Sequence, residues 1–383
     1  MVVNVSARVR VLRIIARMNV GGPAVQVSGL MRGLDIQVFE QELITGYCAY
    51  DEADYLESVA TDVKAIRIVG LGRSINPRAD LTAFFAIIRE IRRLKPDVIH
   101  THTAKAGLIG RIASILSGHR SVRVHTFHGH LLNGYFGPIK TKLVVLVEKL
   151  LALFTHQLLA VGVRVKDDLL AVGIGNQDKF AVMPPGLQLA ELPSRLAARK
   201  ELGLEGEVVY CAFIGRITQV KRPDRFLDVV AELMSRGSDL HFIVAGAGEL
   251  LQYCQNRATA ENLPITFLGW RSDIEVVLAA ADFVLLTSDN EGTPICLIQA
   301  GMVGIPVVAT SVGSTNEIVV DGETGFLTDL SVHQLADAVE KVSTHSDLRA
   351  KMGAAGKEYT LNRYGVARLV KDHQDLYLQL VQK

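Results

Sequence analysis

The sequence predicts an α/β protein made of two Rossmann-like, doubly wound domains that face each other across a cleft. Three observations carry that expectation. Short apolar runs alternate with amphipathic stretches along both halves of the chain, the pattern of strand–helix–strand units in a parallel sheet. The alternation breaks once, at Met183-Pro-Pro-Gly-Leu-Gln, and then restarts; prolines and a glycine there read as a linker. The 383 residues exceed one ordinary core, while 49% hydrophobic residues and a mean hydropathy of +0.25 suit strands buried on both faces.

Taken in order, residues 9–16 form a first strand. Arg10 and Arg13 interrupt the run, so it does not read as a signal sequence. Further strands are expected at 42–45, 65–69, 98–100, 122–127 and 157–161, where apolar and β-branched residues cluster. Helices are expected between them at 24–34, 81–94, 108–116, 139–152 and 165–171. After the linker, strands are expected at 208–214, 241–245, 265–268, 283–286 and 306–309, and helices at 222–235, 249–261, 274–279, 295–303, 332–343 and 346–359. Residues 365–382 are helical in pattern. The domains are therefore expected at 1–185 and 186–364, with a helix at 365–383 placed to pack back on the first domain.

Composition narrows the function. Cys48, Cys211, Cys254 and Cys296 are scattered with no C-x-x-C pair, which supports neither a zinc cluster nor a disulfide framework and fits a reducing cytoplasm. No stretch is long and apolar enough to span a bilayer; residues 139–160 carry Lys140, Lys142, Glu148, Lys149 and His156 and read as a core-packed helix leading into a strand. The net charge is +1, but residues 1–185 carry +8 and the remainder −7. A basic first half suits an anionic surface or acceptor, or is ordinary variation between two domains.

The loop Ser288-Asp-Asn-Glu-Gly-Thr-Pro-Ile295 follows the strand at 283–286 and opens a helix. It combines the carboxylate of Glu291, a flexible Gly292, and free amides near Thr293, Pro294 and Ile295. A helix N-terminus favours phosphate; a carboxylate does not, and reads hydroxyls instead. A site that wants both suggests a nucleotide sugar. Gly215-Arg-Ile-Thr-Gln-Val-Lys221 follows another strand, so Arg216 and Lys221 sit at its carboxyl end, as a diphosphate clamp or as two solvated cations. Removing either cation is expected to leave the unliganded protein as stable or more stable.

Gly21-Gly22-Pro23 lies between the first strand and first helix and permits close approach of a ligand. It is not the G-x-G-x-x-G of nicotinamide enzymes. Gly246-Ala-Gly248 is a second such turn. Six histidines, His100, His102, His119, His125, His128 and His130, crowd one region. No nearby cysteine or carboxylate pair completes a metal set, so no metal is expected. His128 ends a strand facing the expected cleft, as a reactive or a structural histidine. His102 and Lys105 follow strand 98–100 and face an acceptor, cap a helix or are solvated. The stripe at 81–95 is a membrane-facing helix or, more in keeping with the fold, a core face.

Together these pieces resemble the family 4 glycosyltransferases, retaining enzymes of the GT-B fold, over nearly the whole chain. The matching residues are Gly21-Gly22, Thr126-Phe-His-Gly129, Pro184-Pro-Gly-Leu-Gln, Gly215-Arg216…Lys221, Phe267-Leu-Gly269, Glu291-Gly-Thr-Pro294 and Pro306-Val-Val-Ala-Thr. The resemblance implies that Arg216 and Lys221 hold the donor phosphates, that Gly21, Gly22 and the backbone at Gly292–Ile295 contact diphosphate and sugar, and that Glu291 holds the sugar hydroxyls. It places His128 beside the anomeric carbon and Gly269, Trp270 and Arg271 near the base. The family's second signature glutamate is Gln299 here, an amide where the family holds the ribose with a carboxylate.

The resemblance thus implies a cytoplasmic, metal-independent hexosyltransferase without cofactor. It would use a nucleoside-diphosphate sugar, expected to be UDP-linked, and a glycan or lipid-linked glycan acceptor of bacterial surface polysaccharide. His102 and Lys105 are candidate acceptor-side residues, and the basic half is expected to give peripheral contact with an anionic membrane. Nucleic acid is not an expected partner. A UDP-sugar 2-epimerase of the same fold and a non-catalytic nucleotide-sugar-binding protein are the competing readings.

Overall fold

The computed structural model describes residues 8–50, 52–129, 138–204 and 208–382; His130 of the histidine cluster lies outside them. The chain divides into two compact units. Unit 1 runs to Leu187 and resumes at Tyr364; unit 2 is Gln188–Arg363.

Unit 1 alternates strands and helices: β1 (Val9–Ile15), α1 (Gly22–Gly33), β2 (Phe39–Thr45), α2 (Tyr55–Ser58), β3 (Ile66–Arg67), α3 (Pro77–Leu94), β4 (Val98–His102), α4 (Ala104–Leu116), β5 (Val122–Phe127), α5 (Pro138–Leu153), β6 (Gln157–Ala160), α6 (Val163–Ala171) and β7 (Phe180–Val182). The strands form one parallel sheet in the order β3-β2-β1-β4-β5-β6-β7. Because successive side chains leave a strand on opposite faces, Leu12 and Ile14 of β1 pack with Ile87, Ile91 and Ile109 of α3 and α4. Val9 and Val11 join a core on the other face.

The core reading of α3 holds for Ala83, Ile87, Ile88 and Ile91, which are buried, while Leu81 and Phe85 stay exposed. The helix starts four residues before position 81. Asn76 caps it by accepting from the Ala79 amide at 3.2 Å, and Pro77 supplies a preset first turn. Between α4 and α5 lies a buried ion pair: Arg111 Nη2 reaches Glu148 at 2.6 Å. It fixes which side of α5 faces inward.

Unit 2 contains α7 (Arg195–Glu201), β8 (Tyr210–Ile214), α8 (Pro223–Ser235), β9 (His241–Ala245), α9 (Leu251–Ala260), β10 (Ile265–Gly269), α10 (Ile274–Ala280), β11 (Phe283–Leu286), α11 (Ile295–Val303), β12 (Val307–Thr310), β13 (Gly325–Thr328), α12 (Val332–Thr344) and α13 (Ser346–Tyr364). Its sheet is also parallel, in the order β10-β9-β8-β11-β12-β13. The order reverses between β8 and β11, where a doubly wound sheet opens its loops for a ligand.

The last helix, α14 (Val366–Val381), belongs to unit 1. It buries Leu376 and Tyr377 against the Val9–Val11 side of the sheet. The chain leaves and re-enters unit 1 at one place. The Leu187 amide donates to the Tyr364 carbonyl at 2.7 Å and the Val366 amide donates to the Leu187 carbonyl at 2.9 Å. Arg368 adds bonds to the Pro184 and Pro185 carbonyls at 2.7 and 2.9 Å.

Candidate functional site

In unit 2 the loops after five neighbouring strands are tied to one another. The Gly246 amide donates to the Gly269 carbonyl at 2.8 Å, and the Ile217 amide to the Ala247 carbonyl at 2.9 Å. The Asp289 amide donates to the Val220 carbonyl at 3.0 Å. Thr310 Oγ1 donates to the Ser288 carbonyl at 2.7 Å, and the Ser314 amide to the Glu291 carbonyl at 3.2 Å. The loops that carry Gly215–Lys221, Gly269–Arg271 and Glu291–Ile295 therefore form one connected edge.

Gly246 explains its turn. A Cβ there would lie 1.8 Å from the Gly215 carbonyl oxygen, so only glycine lets the two loops touch. Gly313 does the same for Glu291: its φ is +54° and a Cβ would fall 1.7 Å from the Glu291 carbonyl oxygen. Gly313→Ala must therefore move the Glu291 loop. It is expected to cost about 2 kcal/mol, read by calorimetry as a lower melting temperature of unit 2; an unchanged midpoint would contradict the packing.

Lys221 and Glu291 meet. Lys221 Nζ stands 2.5 Å from Glu291 Oε1, and Ser288 Oγ donates to the same oxygen at 2.6 Å. Both side chains are largely buried. Burial opposes the ammonium, yet the adjoining carboxylate outweighs it and holds Lys221 above the usual lysine range. Cys296, at the start of α11, sits close enough to feel both charges, and burial pushes its thiol up to about 11.

Around this pair, Asp289 anchors Arg225 at 2.7 Å and Arg222 at 3.1 Å. Arg225 also donates to the Thr287 carbonyl at 2.7 Å. These cations are structural. Arg216 is different: it is exposed and its guanidinium makes no hydrogen bond or ion pair among the described residues, while its charge reaches Lys221.

Pro294 precedes α11 and accepts from the Leu297 amide at 3.2 Å. Gly292, Thr293 and Ile295 are half-buried beside Glu291. Gln299 lies one turn along the helix from Ile295, half-buried, with no hydrogen bond to its amide among the described residues. Trp270 is exposed at the β10 edge. Arg271 pairs with Asp273 at 2.5 Å and Glu201 at 3.0 Å.

Unit 1 gathers the other candidates at the carboxyl ends of β1, β4 and β5. Gly21 and Gly22 open α1, with the Gly21 carbonyl accepting from Ala24 and Val25 at 3.1 and 3.2 Å. His128 follows β5, and its Nε2 lies 3.0 Å from His102 Nδ1. His102 is inside β4, which runs two residues beyond position 100, and is fully buried. It touches His128 rather than solvent. Lys105 is held by Asp80 at 2.6 Å and by the Gly70 and Ser74 carbonyls at 3.1 and 2.6 Å.

Behind His128 the rings continue inward. His102 lies on His100 with centroids 4.1 Å apart, and His100 stacks on His373 of α14 at 5.8 Å. His100 also bonds Tyr377 at 2.6 Å and Thr126 at 2.7 Å. His125, on the opposite sheet face, bonds Thr101 at 2.8 Å. Burial depresses all of these rings: His100, His102 and His125 fall well below the usual range, and His128 and His373 to about 3. They are neutral at physiological pH. Among the described residues no three His, Cys, Asp or Glu side chains gather as a metal set.

The sequence pointed to Arg216, Lys221 and Glu291 but not to Ser288, Gly313 or the His100–His373–Tyr377 stack. Ser288 opens the Glu291 loop but was given no role there, Gly313 stands in no motif, and the stack joins elements far apart in the chain.

A family model described as Glycosyl transferases group 1 matches residues 194–359, and one described as Glycosyltransferase Family 4 matches residues 20–191. Over 342 residues, 86% of each chain, the protein is 28% identical to the UDP-Gal:alpha-D-GlcNAc-diphosphoundecaprenol alpha-1,3-galactosyltransferase of Escherichia coli. Over 326 residues it is 22% identical to the capsular polysaccharide biosynthesis glycosyltransferase CapM of Staphylococcus aureus, covering 82% of this chain and 85% of that one. The crystal structure of HepE from Anabaena in complex with UDP and glucose aligns with a TM-score of 0.81 at 18% identity, over 96% of this chain and 99% of that one. At that identity the likeness speaks for the fold.

Proposed function

We propose, from the premise that the chain belongs to the family 4 glycosyltransferases and has their GT-B fold, that it moves a sugar from UDP to a glycan or lipid-linked glycan with retention of configuration. The observation that carries the donor reading is the single edge of unit 2 that joins Arg216, Lys221, Glu291 and the start of α11. A diphosphate needs cations and amides, and a sugar needs hydroxyl acceptors; that edge offers both.

In the free enzyme Lys221 and Glu291 neutralise each other. With donor bound, the ammonium turns to the diphosphate and the carboxylate to the sugar hydroxyls, so neither charge is left buried alone. Arg216 adds its unspent guanidinium to the leaving UDP. As the glycosidic bond to phosphate breaks, negative charge grows on UDP, and these cations stabilise it. The sugar becomes oxocarbenium-like. The acceptor hydroxyl oxygen bonds to the sugar on the same face that UDP leaves and passes its proton to the departing diphosphate.

The lipid-linked acceptor is supported by the acceptor in the E. coli relative's name, and the UDP donor by that name and by the HepE complex. The four cysteines are free, in keeping with action in the cytoplasm. Peripheral contact with an anionic membrane is supported by the +8 charge of residues 1–185.

The test is a panel of nucleotide sugars read by thermal shift, followed by transfer to a lipid-linked glycan with excess EDTA. A UDP-sugar is expected to raise the melting temperature most, and turnover is expected to survive chelation because Arg216 and Lys221 supply the charge. Turnover abolished by EDTA and restored by Mg²⁺ would overturn the metal-independent mechanism.

Gln299 tunes the donor. A carboxylate binds a ribose diol with charge-assisted bonds about twice as strong as those of an amide. Gln299→Glu is expected to tighten UDP-sugar binding by about 1 kcal/mol in calorimetry. Weaker binding would mean that a second carboxylate near Glu291 is repelled and that the pocket is built around the amide.

A further inference from the structure

The outer side of α5 carries an apolar stripe. Ile139, Leu143, Leu146, Leu150 and Leu153 are each between 54% and 83% exposed. At 3.6 residues per turn they fall within an arc of about 80°. Phe154, just past the helix, is 55% exposed and extends the stripe. This orientation is imposed from inside: the buried Glu148–Arg111 pair and the buried Leu151 and Ala152 hold the opposite side of the helix to unit 1. Lys179 fastens the C-terminal end through the Ala152, Leu153 and Thr155 carbonyls at 2.8, 3.1 and 3.1 Å.

The charge pattern says what fits. The exposed charges on α5 are Lys140, Lys142 and Lys149, which lie on the two flanks of the stripe. The helix's single carboxylate, Glu148, is buried. Neighbouring α4 has no acidic residue and exposes Ile115 and Leu116. Leucines flanked by lysines, with no exposed acid on α5 or α4, match a lipid surface, where the apolar side chains enter the interface and the ammonium groups reach anionic headgroups. A second copy fits less well, since a two-fold contact of this patch with itself sets lysine rims against each other.

We propose that the α5 stripe docks the enzyme flat on an anionic bilayer, with the helix lying in the interface. No helix among the described residues is long and apolar enough to cross a membrane, so this is a surface contact. The inference deepens the lipid-linked acceptor reading and rests on it for its purpose, while the binding itself needs neither donor nor acceptor.

Sedimentation of the full chain with phosphatidylcholine vesicles, with and without phosphatidylglycerol, tests it. The wild type is expected to bind the phosphatidylglycerol vesicles and to bind less at high salt. Leu146→Gln with Leu150→Gln, at exposed positions and with a good helix former, is expected to lower the partition coefficient about tenfold or more. Lys142→Gln with Lys149→Gln should remove most of the salt-sensitive part. UDP-sugar binding by calorimetry should be unchanged in both, which separates a failed surface from a failed donor site. Equal vesicle binding by wild type and the leucine variant would overturn the proposal. So would a wild type that ignores vesicles and forms a dimer that the leucine variant abolishes by light scattering.

Discussion

Arg216→Ala is expected to cut transfer by about 10²-fold or more while leaving the melting temperature of the unliganded enzyme unchanged. Lys221→Ala should lose comparable activity and also lower the melting temperature. Equal effects on stability were expected from two loop cations, but the structure separates them. Arg216 is exposed and unpaired among the described residues, so its removal breaks nothing in the free protein. Lys221 neutralises a Glu291 carboxylate whose side chain is only 8% exposed. Removing one member of a buried pair strands the other, at a cost of about 3 kcal/mol, or roughly 6–12 °C for a unit of this size. The double variant Lys221→Met with Glu291→Gln should recover the stability and not the activity. Wild-type turnover in Arg216→Ala would remove it from the phosphate clamp. An unchanged midpoint in Lys221→Ala would mean that the ion pair does not form in solution.

Unit 1 is expected to unfold in mild acid well before unit 2. His100, His102 and His373 are buried and neutral, and the cations that act on them are Arg13 of β1, itself buried and bonded to Gln41 at 2.6 Å, and, on His373, Arg368. Tyr377 of α14 and His128 face them as well, and neither offers a negative charge. Their folded pKa values lie below the ordinary value near 6.5, so below that pH the unfolded chain takes up protons that the folded chain refuses. Each ring then costs about 1.4 kcal/mol per pH unit as pH falls from 6.5 toward its folded pKa. Calorimetry from pH 7.5 to 5 should show the unit 1 transition dropping by about 10 °C or more. His373→Phe, which keeps a ring in the stack, should flatten that slope by one proton. A transition that is flat with pH would show that the stack is solvated or broken.

The architecture was legible where strands lie inside a sheet. His241–Ala245, Phe283–Leu286 and Val122–Phe127 have the bounds read from the residues, because in-plane pairing on both sides buries each of them. The short edge strands β7 and β13 were not, since three or four residues beginning with Phe180 or Gly325 carry no period. The one-turn α2 and the seven-residue α7 escaped for the same reason. At the site, Arg216, Lys221 and Glu291 could be placed because they follow strands of one sheet and so share its carboxyl edge. That Lys221 and Glu291 pair could not be read, because the distance between two loops depends on glycines such as Gly313 that fill no motif. The histidine stack was read as a cluster in one stretch, whereas its inner end is Tyr377, 277 residues from His100.

The crossing at Leu187 and Tyr364–Val366 sets an order of events during synthesis. Unit 1 lacks α14, and with it the ring of Tyr377 over Phe39 and the bond to His100, until α14 itself has left the ribosome. Unit 2 is complete at Arg363. The portion translated second is therefore the first that can finish folding, while the portion translated first waits with its sheet unclosed. Stop codons that remove α14 should yield a chain whose donor-binding half is sound and whose other half is handed to chaperones and proteases.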